Sequence, residues 1–427
     1  YTSVMYEKAV LDNGLRIVTQ EMPHTYSASL ALFFKVGSRY EPDPLAGVSH
    51  LVEHMLFKGT SKRPTAKEIA EAIEEVGGVM NAATEKEITT YWVKVTADHR
   101  WLGLDLLADI TLNSKFQPEE MEKERRVIVE EIHMANDVPA ELVHLLIDQL
   151  IWPGHSLGRD IAGTDQSVEN LERGAMLDYY RRHYAPNNVV VAVAGAIRHE
   201  DVVEACKRAF GDWAPTTREG FVPAPSANGR REALRVQYKD TEQLHLCLSG
   251  KGLPRDHPDR RAQDLQNLIL GGGMSSRLFL EIREERALAY DVHSFVEHYH
   301  DTGASVVYVG TDPDRTTDCV EAVLKELARM RDEPVPDSEL RRAKENFRGR
   351  MLLGLEDSAS VTNWLGGQEA LNGKILDVEQ VTAELDAVRP EDVQRVAQAC
   401  LGREDLQLAV VGPFQDGVTL ETMLERA

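Results

Sequence analysis

The chain repeats itself, and that constrains its fold more than any other feature. Several segments of the first half recur in the same order after a shift of roughly 215 residues, the size of an ordinary domain. LRIVTQE (15–21) pairs with LRVQYKD (234–240), and SLALFFKV (29–36) with QLHLCLSG (243–250). TTYWVKVTADHR (89–100), a helical stretch and QPEEMEKERRVI (117–128) match SVVYVGTDPDRT (305–316), a helical stretch and VPDSELRRAKENF (335–347). Near the end of each half an apolar strand pattern closes on glycine, at Gly195 and at Gly412, each preceded by a helical pattern, 171–184 and 388–401. Leu244, Leu246 and Leu248 alternate with period two, as a half-buried strand requires. The stretch 216–232 (TTREGFVPAPSANGRRE) trades periodic apolar residues for Pro, Ala, Ser and Gly, which marks a linker. We therefore expect domains at 1–217 and 233–427 joined by a linker at 218–232. Strands and amphipathic helices mix without strict βαβ alternation. The expected class is α+β, with two homologous α/β-roll domains, largely antiparallel sheets and helices on one face.

Composition removes several functional classes. The longest apolar run, Val189–Ile197, is far short of the roughly 18 residues that a membrane span needs. With 48 Lys and Arg against 70 Asp and Glu, the charge is −22, so nucleic acid is a poor partner and a basic or extended peptide a better one. Cys206, Cys247, Cys319 and Cys400 lie far apart without a CxxC pair, which disfavours disulfides and a cysteine zinc site. The first residues carry no basic n-region followed by an apolar h-region. The expected location is cytoplasmic, with removal of a targeting presequence left open.

The sharpest local signal is SHLVEHMLFKGT (49–60), with His50, Glu53 and His54. On a helix the two histidines stand four apart on one face, a spacing that lets both imidazoles ligate one tetrahedral Zn²⁺. Glu53 is then placed to approach the open coordination position without filling it. This HxxEH order is the inverse of HExxH and is a recognised catalytic zinc signature. A catalytic zinc takes three protein ligands, so one more donor is required.

On these residues the chain resembles the inverse zincin metallopeptidases, the family of pitrilysin, insulin-degrading enzyme and mitochondrial processing peptidase. The resemblance implies a distal glutamate as third ligand. At the family's spacing stands Glu131, with residues 55–130 between it and His54. Seven positions earlier, two helical turns away, Glu124 matches the family's residue that orients the site. Glu122 and Glu130 are read as a solvated face of the same helix, which starts near Pro118. His133, two residues past Glu131, is turned away from the ligand face. The stretch GGVMNAATEKEITTYW (77–92) resembles the family's active-site edge strand, where Asn81 and Ala82 would receive an extended peptide by main-chain hydrogen bonds. Asn81 serves equally well as a turn cap. Thr89–Val95 alternates as a neighbouring strand should.

The second half has no HxxEH at the equivalent place, reading LQNLILGGGMSSRLF (265–279), so one Zn²⁺ per chain is expected. In IREERALAYDVHSF (282–295), Arg283 and Tyr290 resemble the substrate-facing pair of the family's C-terminal halves, with Tyr290 stabilising the oxyanion and Arg283 holding a substrate carbonyl. Gly271, Gly272 and Gly273 read as a helix stop, or as the flexible substrate loop that the resemblance implies. His293, His298 and His300 lack a partner at ligand spacing and are read as structural. The resemblance implies a zinc endopeptidase with Glu53 as acid–base, acting on unfolded peptides in a chamber enclosed by a dimer. A homodimer is favoured because this chain carries both residue sets, and a heterodimer stays open. The rival is a non-catalytic core or assembly subunit of the same fold, against which the complete donor set argues. A small-molecule hydrolase lacks any phosphate or cofactor motif.

Overall fold

The computed structural model describes residues 6–217, 219–225 and 232–426. In chain order it runs β1 (Glu7–Val10), β2 (Arg16–Glu21), β3 (Ser27–Phe34), α1 (Val48–Leu56), α2 (Ala66–Glu74), β4 (Val79–Thr84), β5 (Thr89–Thr96), α3 (Arg100–Asn113), α4 (Pro118–Asp137), α5 (Pro139–Ile151), α6 (Asp165–Asn170), α7 (Arg173–His183), β6 (Val189–Gly195) and α8 (His199–Phe210). It continues with β7 (Leu234–Tyr238), β8 (Leu244–Gly252), α9 (Arg260–Leu270), β9 (Ala289–His298), β10 (Gly303–Thr311), α10 (Thr316–Asp332), α11 (Asp337–Gly354), α12 (Ser358–Asn372), α13 (Val378–Ala387), α14 (Pro390–Cys400), β11 (Gln407–Gly412) and α15 (Gly417–Arg426).

The repeat seen in the sequence is a repeat of topology. One sheet has the order β1-β2-β6-β3-β5-β4 and the other β7-β11-β8-β10-β9. Leaving β1 aside, the two orders are identical when strands are matched along the chain. Each sheet has one parallel pairing among the described residues, β2 with β6 and β7 with β11, and is otherwise antiparallel. The closing glycines are duplicated for a physical reason. Gly195 and Gly412 have φ of +132° and +155°, and a Cβ would fall 2.2 Å from Ser27 O in one case and 2.9 Å from Leu244 Cα in the other. At both positions only glycine lets the central strand end against its neighbour.

Packing divides the chain into two units. One comprises Tyr1–Ile132, Asp160–Val222 and Met351–Glu379, the other His133–Arg159, Pro223–Arg350 and Gln380–Ala427. Relative to contiguous halves at 1–217 and 233–427, the segments carrying α5 and α12 have changed places. Of the stretch 218–232, residues 218 and 226–231 lie outside the described residues.

Burial accounts for the exchange. Along β6 every residue is buried. Val189, Val191 and Val193 join Leu30, Leu32 and Phe34 in a core with α1 and α3, whereas Val190, Ala192 and Ala194 face the other way with Ala31 and Phe33. That second face is covered by Val361, Leu365 and Ala370 of α12. In the other unit Leu142, Val143, Leu146, Ile147 and Leu150 of α5 cover Cys247, Val306, Tyr308, Ala409 and Val411. Helices on one face were the expectation, and here the structure differs: both faces are covered because both are apolar. Polar contacts fix α12 in register. Ser358 Oγ lies 2.9 and 2.8 Å from the hydroxyls of Ser27 and Ser29. Asp357 pairs with Lys94, and the buried Glu369 carboxylate accepts from Lys8 at 2.7 Å and Arg16 at 3.1 Å. No helix among the described residues is long and apolar enough to cross a membrane.

Two adjacent glycines in α12 test this packing. A Cβ on Gly366 would sit 2.1 Å from the Phe33 ring, whereas Gly367 has open space around it. Thermal unfolding should show Gly366→Ala destabilised by about 1–3 kcal/mol through overpacking. Gly367→Ala should gain about 0.5–1 kcal/mol from helix propensity alone. Equal effects of the two would contradict the seating of α12 on Phe33.

Candidate metal centre

Helix α1 is only nine residues long, and its apolar positions decide which way it faces. Val48, Leu51, Val52, Met55 and Leu56 are buried, the i, i+3, i+4, i+7, i+8 stripe of a core-facing helix. His50, Glu53 and His54 are left on the other side. Helix α4 buries Met121, Glu124, Ile128 and Ile132, again at helical spacing, which fixes the rotation of its remaining residues. Glu131 shares the face of Glu124 and is half-buried, while its neighbour Glu130 is exposed.

These two helices bring the predicted donors together. His50 Nε2 and His54 Nε2 are 3.2 Å apart. Glu131 Oε2 lies 3.8 Å from His50 Nε2 and 3.7 Å from His54 Nε2. Among the described residues this is the one His/Cys/Asp/Glu trio whose ligand atoms gather within 4.8 Å of one another. Ligand atoms around a tetrahedral zinc, with bonds of about 2.0–2.1 Å, stand roughly 3.3 Å apart, so the donor set fits zinc in kind and in spacing. On the far side of its ring, His54 Nδ1 lies 3.0 Å from Glu124 Oε2, and Lys58 Nζ donates to Glu124 Oε1 at 2.7 Å. That contact holds the proton on Nδ1 and leaves the Nε2 lone pair toward the metal position. His50 has no such support. Its Nδ1 is buried without a hydrogen-bond partner.

The electrostatics favour a cation. Burial, with the His54 ring beside it, pushes His50 down to about 4, so it is a neutral donor at neutral pH. Burial raises the Glu53 carboxyl, against the opposing pull of the Thr84 hydroxyl, which donates to Glu53 Oε2 at 2.5 Å. Glu53 stays outside the donor trio.

The other residues singled out in the sequence fall as follows. Asn81 and Ala82 lie on β4, which pairs with β5 alone and forms the sheet edge. Asn81 is in the strand rather than capping a turn, and its Oδ1 accepts from the N–H of Ala82 at 2.8 Å. In the other unit Arg283 Nη1 donates to Tyr290 O at 2.9 Å, with its guanidinium 4.4 Å above the Tyr290 ring. Tyr290 is 76% exposed. Gly271 caps the end of α9, its N–H donating to Asn267 O at 2.9 Å. His133 is exposed, and His298 bonds to Asp264 at 3.1 Å. All four cysteines are free and buried. Sequence reasoning missed Thr84 and Lys58. The only available signals were positional: Thr84 lies two residues past Ala82 in the same strand, and Lys58 four past His54.

Two histidines one helical turn apart and a distal glutamate, with a second carboxylate, Glu53, beside them on a duplicated α+β fold, form the donor pattern of the HxxEH class. Residues 16–165 match the family described as insulinase, peptidase family M16, and residues 170–347 match the peptidase M16 inactive domain. An uncharacterized zinc protease of Streptomyces coelicolor is 39% identical over 414 residues, covering 96% of this chain and 90% of that protein. Among solved structures, a protease from Helicobacter pylori superposes with a TM-score of 0.88 at 23% identity, covering 95% of this chain and 99% of that one. A Pseudomonas fluorescens structure described as a peptidase M16 inactive domain gives 0.88 at 20% identity, covering 96% and 98%. The chain belongs to peptidase family M16, the pitrilysin-like family.

Zinc analysis separates the roles assigned to neighbouring carboxylates. Glu131→Ala should lose stoichiometric zinc while Glu130→Ala retains it, since only the first reaches the histidines. Glu124→Ala should bind zinc about 10–100-fold more weakly, the usual cost of removing an orienting partner. Loss of zinc in Glu130→Ala but not in Glu131→Ala would reassign the third ligand.

Proposed function

We propose that the chain is a zinc-dependent endopeptidase that hydrolyses unfolded or extended peptides. The observation that carries this reading is the donor triangle of His50, His54 and Glu131 with the Glu53 carboxylate beside it and outside the donor set. His50, His54 and Glu131 would hold a zinc ion, which would supply Lewis acidity and make a water acidic enough to attack near neutral pH. Glu53, already desolvated, takes the proton of the attacking water and returns one to the leaving amine. Thr84 keeps the Glu53 carboxylate aimed. The edge of β4 at Asn81 and Ala82 receives the peptide as an added strand, a mode that gives affinity from main-chain hydrogen bonds with little demand on sequence. Tyr290, largely exposed with the Arg283 guanidinium over one face of its ring, donates to the peptide carbonyl oxygen as charge builds there, and Arg283 steadies a neighbouring carbonyl.

Further parts of the proposal concern setting. One zinc per chain follows from the absence of HxxEH in α9. A homodimer encloses the substrate in a chamber, with a heterodimer as the alternative arrangement, and the −22 charge favours basic peptides. Four buried free thiols suit a reducing, cytoplasmic setting. The rival reading, a non-catalytic subunit of the same fold, draws on the family's inactive members. Here the match to the inactive domain begins at residue 170, past every proposed metal ligand, while the insulinase match spans them all.

The test is Glu53→Gln assayed on a quenched basic peptide, with zinc measured in parallel. Zinc should stay bound while hydrolysis falls by about 10²–10⁴-fold, the contribution of a positioned acid–base group. Undiminished hydrolysis in that variant, or none in the zinc-loaded wild type, would overturn the proposal.

A further inference from the structure

The two histidines of the centre are held in different ways. His54 is oriented through its ring, by Glu124 and behind it Lys58. A metal-bound histidine ordinarily has such a partner on its second nitrogen. Among the described residues His50 Nδ1 is buried without a partner, so the placement of the ring rests on packing and on the position of its own backbone.

That backbone lies in the first turn of α1, where a helix is weakest because its leading N–H groups have no partner within the helix. The cap position is Gly47, which has no side chain to supply, and no side-chain bond of the usual kind caps α1. A carboxylate from outside the helix does so instead. Glu41 is only 4% exposed. Its Oε2 accepts the N–H of Gly47 at 2.9 Å and its Oε1 the N–H of Ser49 at 2.8 Å. Both oxygens are thus spent on the turn immediately before His50, and the negative charge sits at the positive end of the helix dipole. Helices of this length are marginal in isolation, so the first turn depends on what holds it.

We propose that Glu41 is a positioning residue of the metal centre: by clamping the first turn of α1 it places His50 for the metal, as Glu124 places His54. This rests on His50, His54 and Glu131 forming the zinc site. It predicts an effect on zinc affinity that travels through His50 and is separable from general stability. Glutamine at 41 keeps the size but turns one acceptor into an N–H₂ group that faces an N–H, and it removes the charge.

The experiment measures the zinc dissociation constant by chelator competition, together with apo-protein melting temperature. The proteins are wild type, Glu41→Gln, His50→Ala and the double variant Glu41→Gln/His50→Ala. Thr65→Ala serves as control, because Thr65 caps α2 with a complete capping box but carries no metal ligand. Glu41→Gln should weaken zinc binding about 10-fold or more, in the range of other outer residues of zinc sites. In the His50→Ala background the same change should cost nothing further. Thr65→Ala should lower the melting temperature without altering zinc affinity. An unchanged dissociation constant in Glu41→Gln, or an equal loss with and without His50, would overturn the proposal. If Glu41→Gln does not fold, Glu41→Asp, which keeps the charge but shortens the reach, must show the His50-dependent loss or the proposal fails. A wild type that binds no zinc, or a His50→Ala variant that binds it as tightly as wild type, would instead refute the metal site on which the proposal stands.

Discussion

A strand buried on both faces sets the demand that the rest of this molecule meets. Along β6 alternate side chains point into two different apolar layers, and β11 is likewise buried at every residue, with Ala409 and Val411 in the layer that α5 covers. Helices that follow each strand in sequence cover one layer. The other layer needs a helix too, since an uncovered face of Val190, Ala192 and Phe33 would leave several large apolar groups in water at about 1.5–3 kcal/mol for each large side chain. The chain supplies that cover from the other copy of the repeat, α12 over one sheet and α5 over the other. Duplication and burial are therefore one constraint: each copy of the repeat carries a helix for the second layer of core and places it over the sheet of the other copy.

The metal centre is where the same economy turns unfavourable without a cation. Helix packing fixes α1 and α4 by their apolar stripes, and the residues left over converge. Two imidazole nitrogens end 3.2 Å apart, with a carboxylate oxygen within 3.8 Å of both. Burial makes His50 harder to protonate and Glu53 harder to ionise. A divalent ion held by His50, His54 and Glu131 would favour both the neutral His50 ring and the ionised Glu53 carboxylate, and binding to the folded form alone would stabilise that form. Opposing charge elsewhere is met by side chains, as with Arg39 and Glu87, paired at 2.5 Å and almost wholly buried. At the centre, among the described residues, Glu131 has the two histidines beside it and no Lys or Arg.

Much of this was legible in the chain itself. The repeat foretold two sheets of one topology, and the alternation at Thr89–Val95 foretold β5, whose burial switches residue by residue. HxxEH gave two donors from helical spacing alone. Glu131 came through family spacing, and structure adds why its neighbour differs: one step along α4 rotates Glu130 into solvent. The exchange of α5 and α12 was not legible, because an apolar stripe says that a helix must pack but not on which sheet. Thr84, Lys58 and Glu41 escaped for a related reason. Each acts through one or two hydrogen bonds or ion pairs to residues on another element, and no periodicity records such a partner.

The second copy shows how little of the chemistry belongs to the backbone. Helix α9 follows β8 as α1 follows β3, and its strands are paired in the same order. Two of its polar residues, Asp264 and Gln263, are spent on structure instead. Asp264 takes His298 at 3.1 Å and Arg261 at 3.2 Å, and those partners hold its carboxyl below the usual range despite burial. Gln263 ties α9 to the sheet through Ser305 at 3.0 Å. Satisfied polar groups of this kind leave no lone pairs converging on an empty point. In α1 the corresponding face turns the Nε2 atoms of His50 and His54 toward Glu131, while Glu124 engages His54 Nδ1 and Thr84 donates to Glu53. The difference between a metal centre and a structural helix on this fold is thus a difference in which polar atoms are left without protein partners.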